Sequence, residues 1–491
     1  MLGVDMTPSQ SAAETEEHEH SIIITFREGV LLRSDDATGN RELYRSDGGE
    51  CVLTLPALPS SLVPALQRVI DGALVASIED ELLDNVGIEA LAQWYALLAE
   101  CEAAGVLTYE VRHSSHVLMR FTPAAAGRTA LYAPPSGALR LSRFAFLHRD
   151  ADTLCLDSPR ARGRITVAQP MLATAIAAFS TATTRRQIAA VTGIDVEPWI
   201  GDVISLLVAS ELLHEADADG LTDEDRSIAA QHWEFADLLL HARSRPDRSD
   251  LPVGGTYRFD DCEPPPVLKP PMSEIRIALF RPNIDALNNS DVPMTRVMET
   301  RASVRKQGAI PITAEQLGEF LYRVARVRPD TRTPGAPTPV YEFRRRLYPG
   351  GGACHPLEIY AAISRCDGLH AGLYHYDPDS HALELLDDPT YGAQELLQRV
   401  SVPMDGHTLS QIVLVFSARF RRLSWKYEGN AYALLLQEVG VLYQSMYLVA
   451  TAMGLAQCAV GGGDANRFAE IIGTDPLDEG SVGAFTLGSA G

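Results

Sequence analysis

The chain has 491 residues, of which 46% are apolar and 22% charged, and a formal net charge of −22. That length exceeds the usual size of one core, so roughly two to four domains are expected, and the composition is that of an ordinary globular protein. So acidic a balance argues against a nucleic-acid or membrane partner, because phosphate binding needs a concentrated basic face; the basic clusters are local, at Arg344–Arg346 and Arg421–Arg422. The seven cysteines are scattered without a C-x-x-C pair, which fits a reducing compartment and gives neither a disulfide framework nor a zinc knuckle. The N-terminal stretch lacks the basic and apolar regions of an export signal, and no run approaches the ~20 apolar residues of a membrane span. A cytoplasmic location is expected.

Residues 1–20 read as a disordered tail. Strand-like runs at 21–26, 30–34 and 49–56 precede helical patterns at 62–82 and 88–105 and a returning strand at 107–113. This order predicts a small α+β unit of winged-helix type over 21–115. After a Gly/Pro-rich break at 133–140, strand patterns at 141–150 and 153–159 and helical ones at 170–180, 183–193 and 198–216 predict a second winged-helix-like domain over 135–225. Thr183 or Thr184 is placed to cap the helix at 183–193, and Gly193 to end it. One irregular helical domain over the same residues is the alternative. Residues 223–245 read as a polar helix and 262–271, CEPPPVLKPP, as a stiff linker, and a connecting segment is expected over 226–274. The last domain is expected over 275–491.

Four features of that last domain carry chemistry. Arg301-Ala-Ser303-Val-Arg305 places two guanidiniums and a hydroxyl together, as recognition of a terminal phosphate requires. Tyr348-Pro-Gly-Gly-Gly-Ala-Cys-His355 offers a loop whose backbone can approach a flat ligand, with a strand at 357–365 and a hairpin at 372–386 after it. Lys426 and Tyr427 follow a strong strand at 411–420 and precede a long helix at 431–455, where they could serve as base and proton donor. Cys458-Ala-Val-Gly-Gly-Gly-Asp464, directly after that helix, reads as a turn whose N–H groups could face an anion or ring edge. Taken singly, these features are equally a basic turn, a tight loop, an exposed lysine beside an aromatic, and a turn.

Their order is more telling than any one of them. R-x-S-x-R with P-I-T-x-E, then Y-P-G-G-G, W-K-Y, the long helix and a Gly-Gly turn resembles the FMN-dependent nitroreductase superfamily, and within it the SagB-type azoline dehydrogenases. The resemblance covers about 200 C-terminal residues and implies an α+β fold: a nitroreductase-like domain, its antiparallel or mixed sheet flanked by helices, after the two winged-helix-like domains. It implies FMN as cofactor, with Arg301, Ser303 and Arg305 at its phosphate and ribityl chain. Pro349, Gly350 and Gly351 would lie against the isoalloxazine, Gly461 and Gly462 over its other edge, and Gln444 and Ser445 would form a polar pair on a dimer-forming helix. Lys426 and Tyr427 match the catalytic pair.

The implied activity is oxidation of thiazolines or oxazolines to azoles in a ribosomally made peptide, with hydride transfer to flavin N5 and reoxidation by oxygen. The implied partners are the precursor peptide, a cyclodehydratase and a second copy of the chain. Departures from the pattern fall mostly at the phosphate site. The usual loop serine is Gly350, arginines after Lys-Tyr are replaced by Asn430 and Ala433, and no basic tail follows Leu487. Alternatives are an NAD(P)H-dependent nitroreductase acting on small molecules and a non-catalytic peptide-binding scaffold.

Overall fold

The computed structural model describes residues 22–34, 40–46, 51–113, 116–124, 129–193, 195–245, 252–329, 342–386, 389–401, 409–461 and 463–491; the expected tail at 1–20 lies outside them. The chain divides into two units, Met1–Leu251 and Pro252–Gly491.

In the first unit, alternate burial along Ile22–Phe26 and Gly163–Val167 marks strands with one face on the core. These strands belong to one antiparallel sheet. Its order is Ala73–Leu74, Ile22–Phe26, Leu107–His113, His116–Pro123, Gly163–Val167, Thr153–Asp157 and Phe146–Asp150. The two segments expected as separate small domains therefore share a sheet, joined where His116–Pro123 pairs with Gly163–Val167. A side chain at Gly163 would lie 2.2 Å from the Thr122 carbonyl oxygen, so the junction requires glycine. The expected helix at 62–82 is two, Leu62–Asp71 and Val75–Asn85. Gly72 (φ 76°) breaks it, and Ala73–Leu74 pairs with Ile24–Ile23 instead. Thr184 caps Arg185–Thr192 through a reciprocal bond with Gln187, and Gly193 ends it left-handed. The polar helix read at 223–245 is three short ones, Asp223–Arg226, Ile228–Gln231 and Phe235–Arg243, divided at Ser227 and after His232.

The second unit is built on a seven-stranded antiparallel sheet. Its order is Arg276–Ala278, Ala382–Leu385, Gly372–Asp377, Leu357–Ile363, Ile412–Arg419, Glu479–Ser489 and Leu455–Val460. Both central strands are buried along their whole length, as a sheet covered on two faces demands. Leu357, Ile359, Ala361 and Ile363 point into one core with helices Ala314–Ala325 and Ala431–Ala452. Tyr360 and Ala362 point into another with Pro389–Ser401 and Ala465–Ile472. The unit is α+β, as expected.

Two local readings change. The 22-residue helix Ala431–Ala452, with mean hydropathy 1.3, does have the length and apolar character of a membrane span. It packs against Ala314–Ala325 and Leu455–Val460 and carries a buried acid, Glu438. The turn expected directly after it is preceded by the strand Leu455–Val460, which contains Cys458.

A buried ionic layer crosses the sheet. His375, 2% exposed, stands between Glu384 (Nδ1–Oε2, 3.0 Å) and Glu358 (Nε2–Oε2, 3.2 Å), and Arg419 reaches Glu358 Oε1 at 3.2 Å. Burial opposes charge on all three titratable groups, but their hydrogen bonds outweigh it. His375 is held above its ordinary value, and Glu358 and Glu384 below theirs. The histidine stabilises the fold below pH ~6.5 and less as pH rises through its raised value; the glutamates stabilise it above pH ~4.5 and less as pH falls through their lowered values. The melting temperature should therefore peak between about pH 4.5 and 6.5. In His375→Gln it should be lower, with the decline on the alkaline side of that window flattened; calorimetry across pH would show both.

Candidate active site

A short helix, Phe420–Ser424, leads from the central strand to Trp425, Lys426 and Tyr427. Backbone N–H groups of Lys426 and Tyr427 both donate to Leu423 O, at 3.1 and 2.9 Å, so the chain is still coiled where the two side chains leave it. Trp425 anchors the turn: its ring is buried and Nε1–H donates to Cys262 O at 2.9 Å.

The half-buried Lys426 and Tyr427 converge on the glycine loop. A Cβ placed on Gly352 would lie 2.6 Å from Lys426 Nζ and 2.6 Å from Tyr427 OH. Amine and phenol meet at a point that only glycine leaves open. The loop is wound left-handed at Gly352 (φ 55°), Ala353 (φ 57°) and His355 (φ 44°). For non-glycine residues this costs on the order of 1 kcal/mol or more each, and it persists where the surroundings impose it. The resemblance implies a ring contact at Gly350 and Gly351; the glycine that meets the Lys426–Tyr427 pair is the next one, Gly352. A further signal was available in the composition. Of 42 cationic residues only three are lysines, at 269, 306 and 426. Arginine is not deprotonated in proteins whereas an amine can be, so a lysine kept here in an arginine-rich chain points to amine chemistry.

Behind the loop, a Cβ on Gly350 would lie 2.7 Å from a carboxylate oxygen of Glu438. Glu438 is 2% exposed and neither oxygen accepts a hydrogen bond, while His355 Nδ1 stands 3.4 Å from Oε1. Tyr348 meets the His355 ring edge-on at 5.4 Å, and burial pushes its phenol well above the usual value. Gly351 lies against Leu423 and Leu434, and Pro349 is exposed.

The loop is tied to the segment read as a stiff linker. The buried guanidinium of Arg422 donates to Cys354 O (3.1 Å), Pro265 O (2.8 Å) and Glu342 O. Arg419 donates to Pro266 O at 2.5 Å, and Lys269 pairs with buried Glu479 and donates to Tyr360 OH at 2.7 Å. Residues 254–270 therefore form a strap fixed along the Lys426–Tyr427 turn. The sequence reading passed over Arg422, Glu438 and this strap, because their roles arise only from contacts distant in sequence.

The R-x-S-x-R segment lies elsewhere along the long helix. Val304 N–H donates to Gln457 O at 2.7 Å, holding the segment beside the edge strand Leu455–Val460. Ser303 Oγ is 2.9 Å from Tyr447 OH, and the Arg301 guanidinium stands over the Tyr447 ring at 5.2 Å, while Arg305 is exposed. Exposed Gly461 follows the other end of the strand, and Gly462 lies outside the described residues. Gln444 is exposed, and Ser445 Oγ donates to Val441 O within its own helix at 2.9 Å. From Ala431, just past that pair, to Tyr447 the helix runs roughly 24 Å along its axis. The structure brings together the glycine loop and Lys426–Tyr427, but it does not bring the R-x-S-x-R cluster to them.

Comparison with known proteins places this geometry in context. Residues 298–489 match the nitroreductase family and residues 139–250 match the cyanobactin oxidase ThcOx. A Methanocaldococcus jannaschii protein provisionally named a nitroreductase is 28% identical over 182 residues, which is 37% of this chain and 85% of the relative. The trifolitoxin-processing protein TfxB of Rhizobium leguminosarum bv. trifolii is 26% identical over 149 residues, 30% of this chain. The microcin B17-processing protein McbC of Escherichia coli is 35% identical over 117 residues, 23% of this chain. The matched regions span 40% of TfxB and 42% of McbC. The C-terminal unit is thus an oxidoreductase domain of the nitroreductase family. With the ThcOx match ahead of it, and relatives named as trifolitoxin-processing and microcin B17-processing proteins, the chain resembles the SagB-type members of the nitroreductase superfamily.

Gly352→Ala should force Lys426 Nζ and Tyr427 OH off their common point and add the left-handed strain of a non-glycine residue. A loss of about 1–2 kcal/mol in denaturant stability is expected, with a changed rate of amine labelling at Lys426 read by mass spectrometry.

Proposed function

We infer that this chain oxidises azoline rings, thiazoline or oxazoline, to azoles in a ribosomally made precursor peptide, with FMN as cofactor. The observation that carries this reading is the convergence of Lys426 Nζ and Tyr427 OH at Gly352, an amine and a phenol at a loop with no side chain between them and a flat ring. The names of TfxB and McbC as trifolitoxin- and microcin B17-processing proteins, and the ThcOx match over 139–250, support a substrate of that class, a ribosomally made peptide.

The residues present fit FMN. Arg301, Ser303 and Arg305 supply two cations and a hydroxyl on one segment for the phosphate, and Gly461 lies at the far end of the strand beside them. The Gly350–Gly352 loop carries no Cβ atoms, and the space they would fill is taken by Glu438, Leu434, Lys426 and Tyr427, which brings the amine and the phenol against its backbone. These halves sit towards opposite ends of one helix, which supports a site completed by a second copy whose helix runs antiparallel to the first. Tyr432 and Leu436 on that helix are 48% and 40% exposed, and only a third of its apolar window is buried within the protomer. Gln444 would face the same contact. A cyclodehydratase that makes the azoline is the expected partner, and a cytoplasmic setting suits such a step.

FMN, held by Arg301, Ser303 and Arg305 at its phosphate, would supply the two-electron acceptor chemistry, with oxygen as the final oxidant. The protein's part is to hold the azoline and move one proton. Lys426 takes the proton from the ring carbon, so one proton and one hydride leave and the ring becomes aromatic. Tyr427 hydroxyl, at the same point, orients the ring or passes the proton onward.

Purified protein should be yellow and should bleach on anaerobic addition of an azoline peptide. Lys426→Ala in FMN-loaded protein should slow that bleaching by about 10²–10⁴-fold; undiminished turnover would remove the lysine from the mechanism. Leu436→Asp, by charging the exposed helix face, should give a folded monomer with lost FMN retention, checked by ultracentrifugation and absorbance. A monomer that keeps its flavin would refute the shared site.

A further inference from the structure

The strap carries a residue that the catalytic reading above does not use. Tyr257 N–H donates to Lys426 O at 3.1 Å, and just before it Gly254 and Glu428 exchange two backbone hydrogen bonds of 3.0 and 2.9 Å. Tyr257 is held left-handed, at φ 55°, a conformation that a bulky non-glycine residue seldom adopts unless its surroundings impose it. Its ring stands edge-on against Trp425, with centroids 5.8 Å apart, and its centroid is 5.4 Å from Lys426 Nζ. The Tyr427 ring lies at the same distance from that nitrogen. The amine is thus flanked by two aromatic rings, one from its own turn and one from a segment about 170 residues earlier in the chain, a separation of the kind only tertiary structure can bridge.

From this juxtaposition we propose that Tyr257 is a positioning residue, whose ring face holds the Lys426 amine against Gly352; the inference rests on the reading of Lys426 as the proton-moving group. A lysine on a flexible four-carbon stem has many rotamers, and an aromatic face on each side restricts the amine to one place. The ring face also attracts the ammonium more than the neutral amine, so Tyr257 helps set how readily Lys426 yields its proton. The other titratable or charged groups nearby are Tyr427 itself, Glu428, which Arg258 and Thr256 engage at 3.4 and 3.0 Å, and His355 and Glu438 on the loop side.

The scarcity of lysine makes the proposal directly readable. Reductive methylation with ¹³C-formaldehyde labels only Lys269, Lys306, Lys426 and the α-amino group, and the Lys426 resonance is assigned by its absence in Lys426→Arg. In Tyr257→Leu the titration midpoint of that resonance should fall by about half a pH unit, the size of one lost cation–π contact. Anaerobic flavin bleaching by an azoline peptide should slow about tenfold through misplacement of the amine. Tyr257→Phe, which keeps the ring face and loses the hydroxyl, should restore both. A Leu variant with the wild-type midpoint and rate, or a Phe variant that behaves like Leu, would overturn the proposal; near-UV circular dichroism confirms that each variant is folded. Should the unaltered protein fail to oxidise the peptide, the azoline reading falls, and the resonance still decides whether Tyr257 holds the amine.

Discussion

Arg422 supplies the contact around which the candidate site is assembled. Its guanidinium, 3% exposed, donates to three main-chain carbonyls from three segments: the glycine loop at Cys354, the strap at Pro265 and the stretch before the loop at Glu342. A buried guanidinium needs many acceptors, and carbonyls in irregular backbone need donors, so each side satisfies the other. Removing the arginine would strand three carbonyls at once. A left-handed loop bearing Gly352, Ala353 and His355 cannot hold its shape from local preference alone, and this anchor is one reason it need not.

The sheet beneath contributes rigidity of a different kind. Its central strands are buried on both faces, yet one layer through them is ionic: Glu384, His375, Glu358 and Arg419 in succession. Arg419 then reaches outward to the strap at Pro266, next to the carbonyl that Arg422 takes. The buried charge layer and the strap are therefore one connected network. Networks of this sort favour a unique arrangement more than they favour raw stability, since hydrophobic replacements often match them in energy.

Much of this was legible in the sequence where regular patterns governed it. The central strands, the hairpin after the glycine loop and the long helix fall close to where periodicity placed them, and Thr184 and Gly193 bound their helix as their chemistry suggests. Reading failed where a local pattern had two solutions. Leu455–Val460 continues the apolar run of the helix before it, and a short apolar run does not distinguish strand from helix. Gly72 was absorbed into a helical pattern that it in fact interrupts. The candidate site was partly legible: order identified the Lys-Tyr pair and the loop, but three consecutive glycines gave no means of telling which one the pair would touch. Arg422, Glu438 and Tyr257 were invisible because each depends on a partner far away in sequence, and the Pro-rich segment looked like a spacer because its anchors are main-chain carbonyls.

The long helix Ala431–Ala452 has a consequence for how this protein can change over time. Leu434, Glu438, Tyr443 and Tyr447 each meet a different neighbour, from Gly351 and Gly350 of the glycine loop through Val460 to Ser303. One residue inserted or removed between Glu438 and Tyr447 would turn the far end by about 100° relative to the near end. The helix thus behaves as a fixed-length key: substitutions along its open face can drift, but its count of residues cannot, and any lengthening would have to come in compensated whole-turn steps.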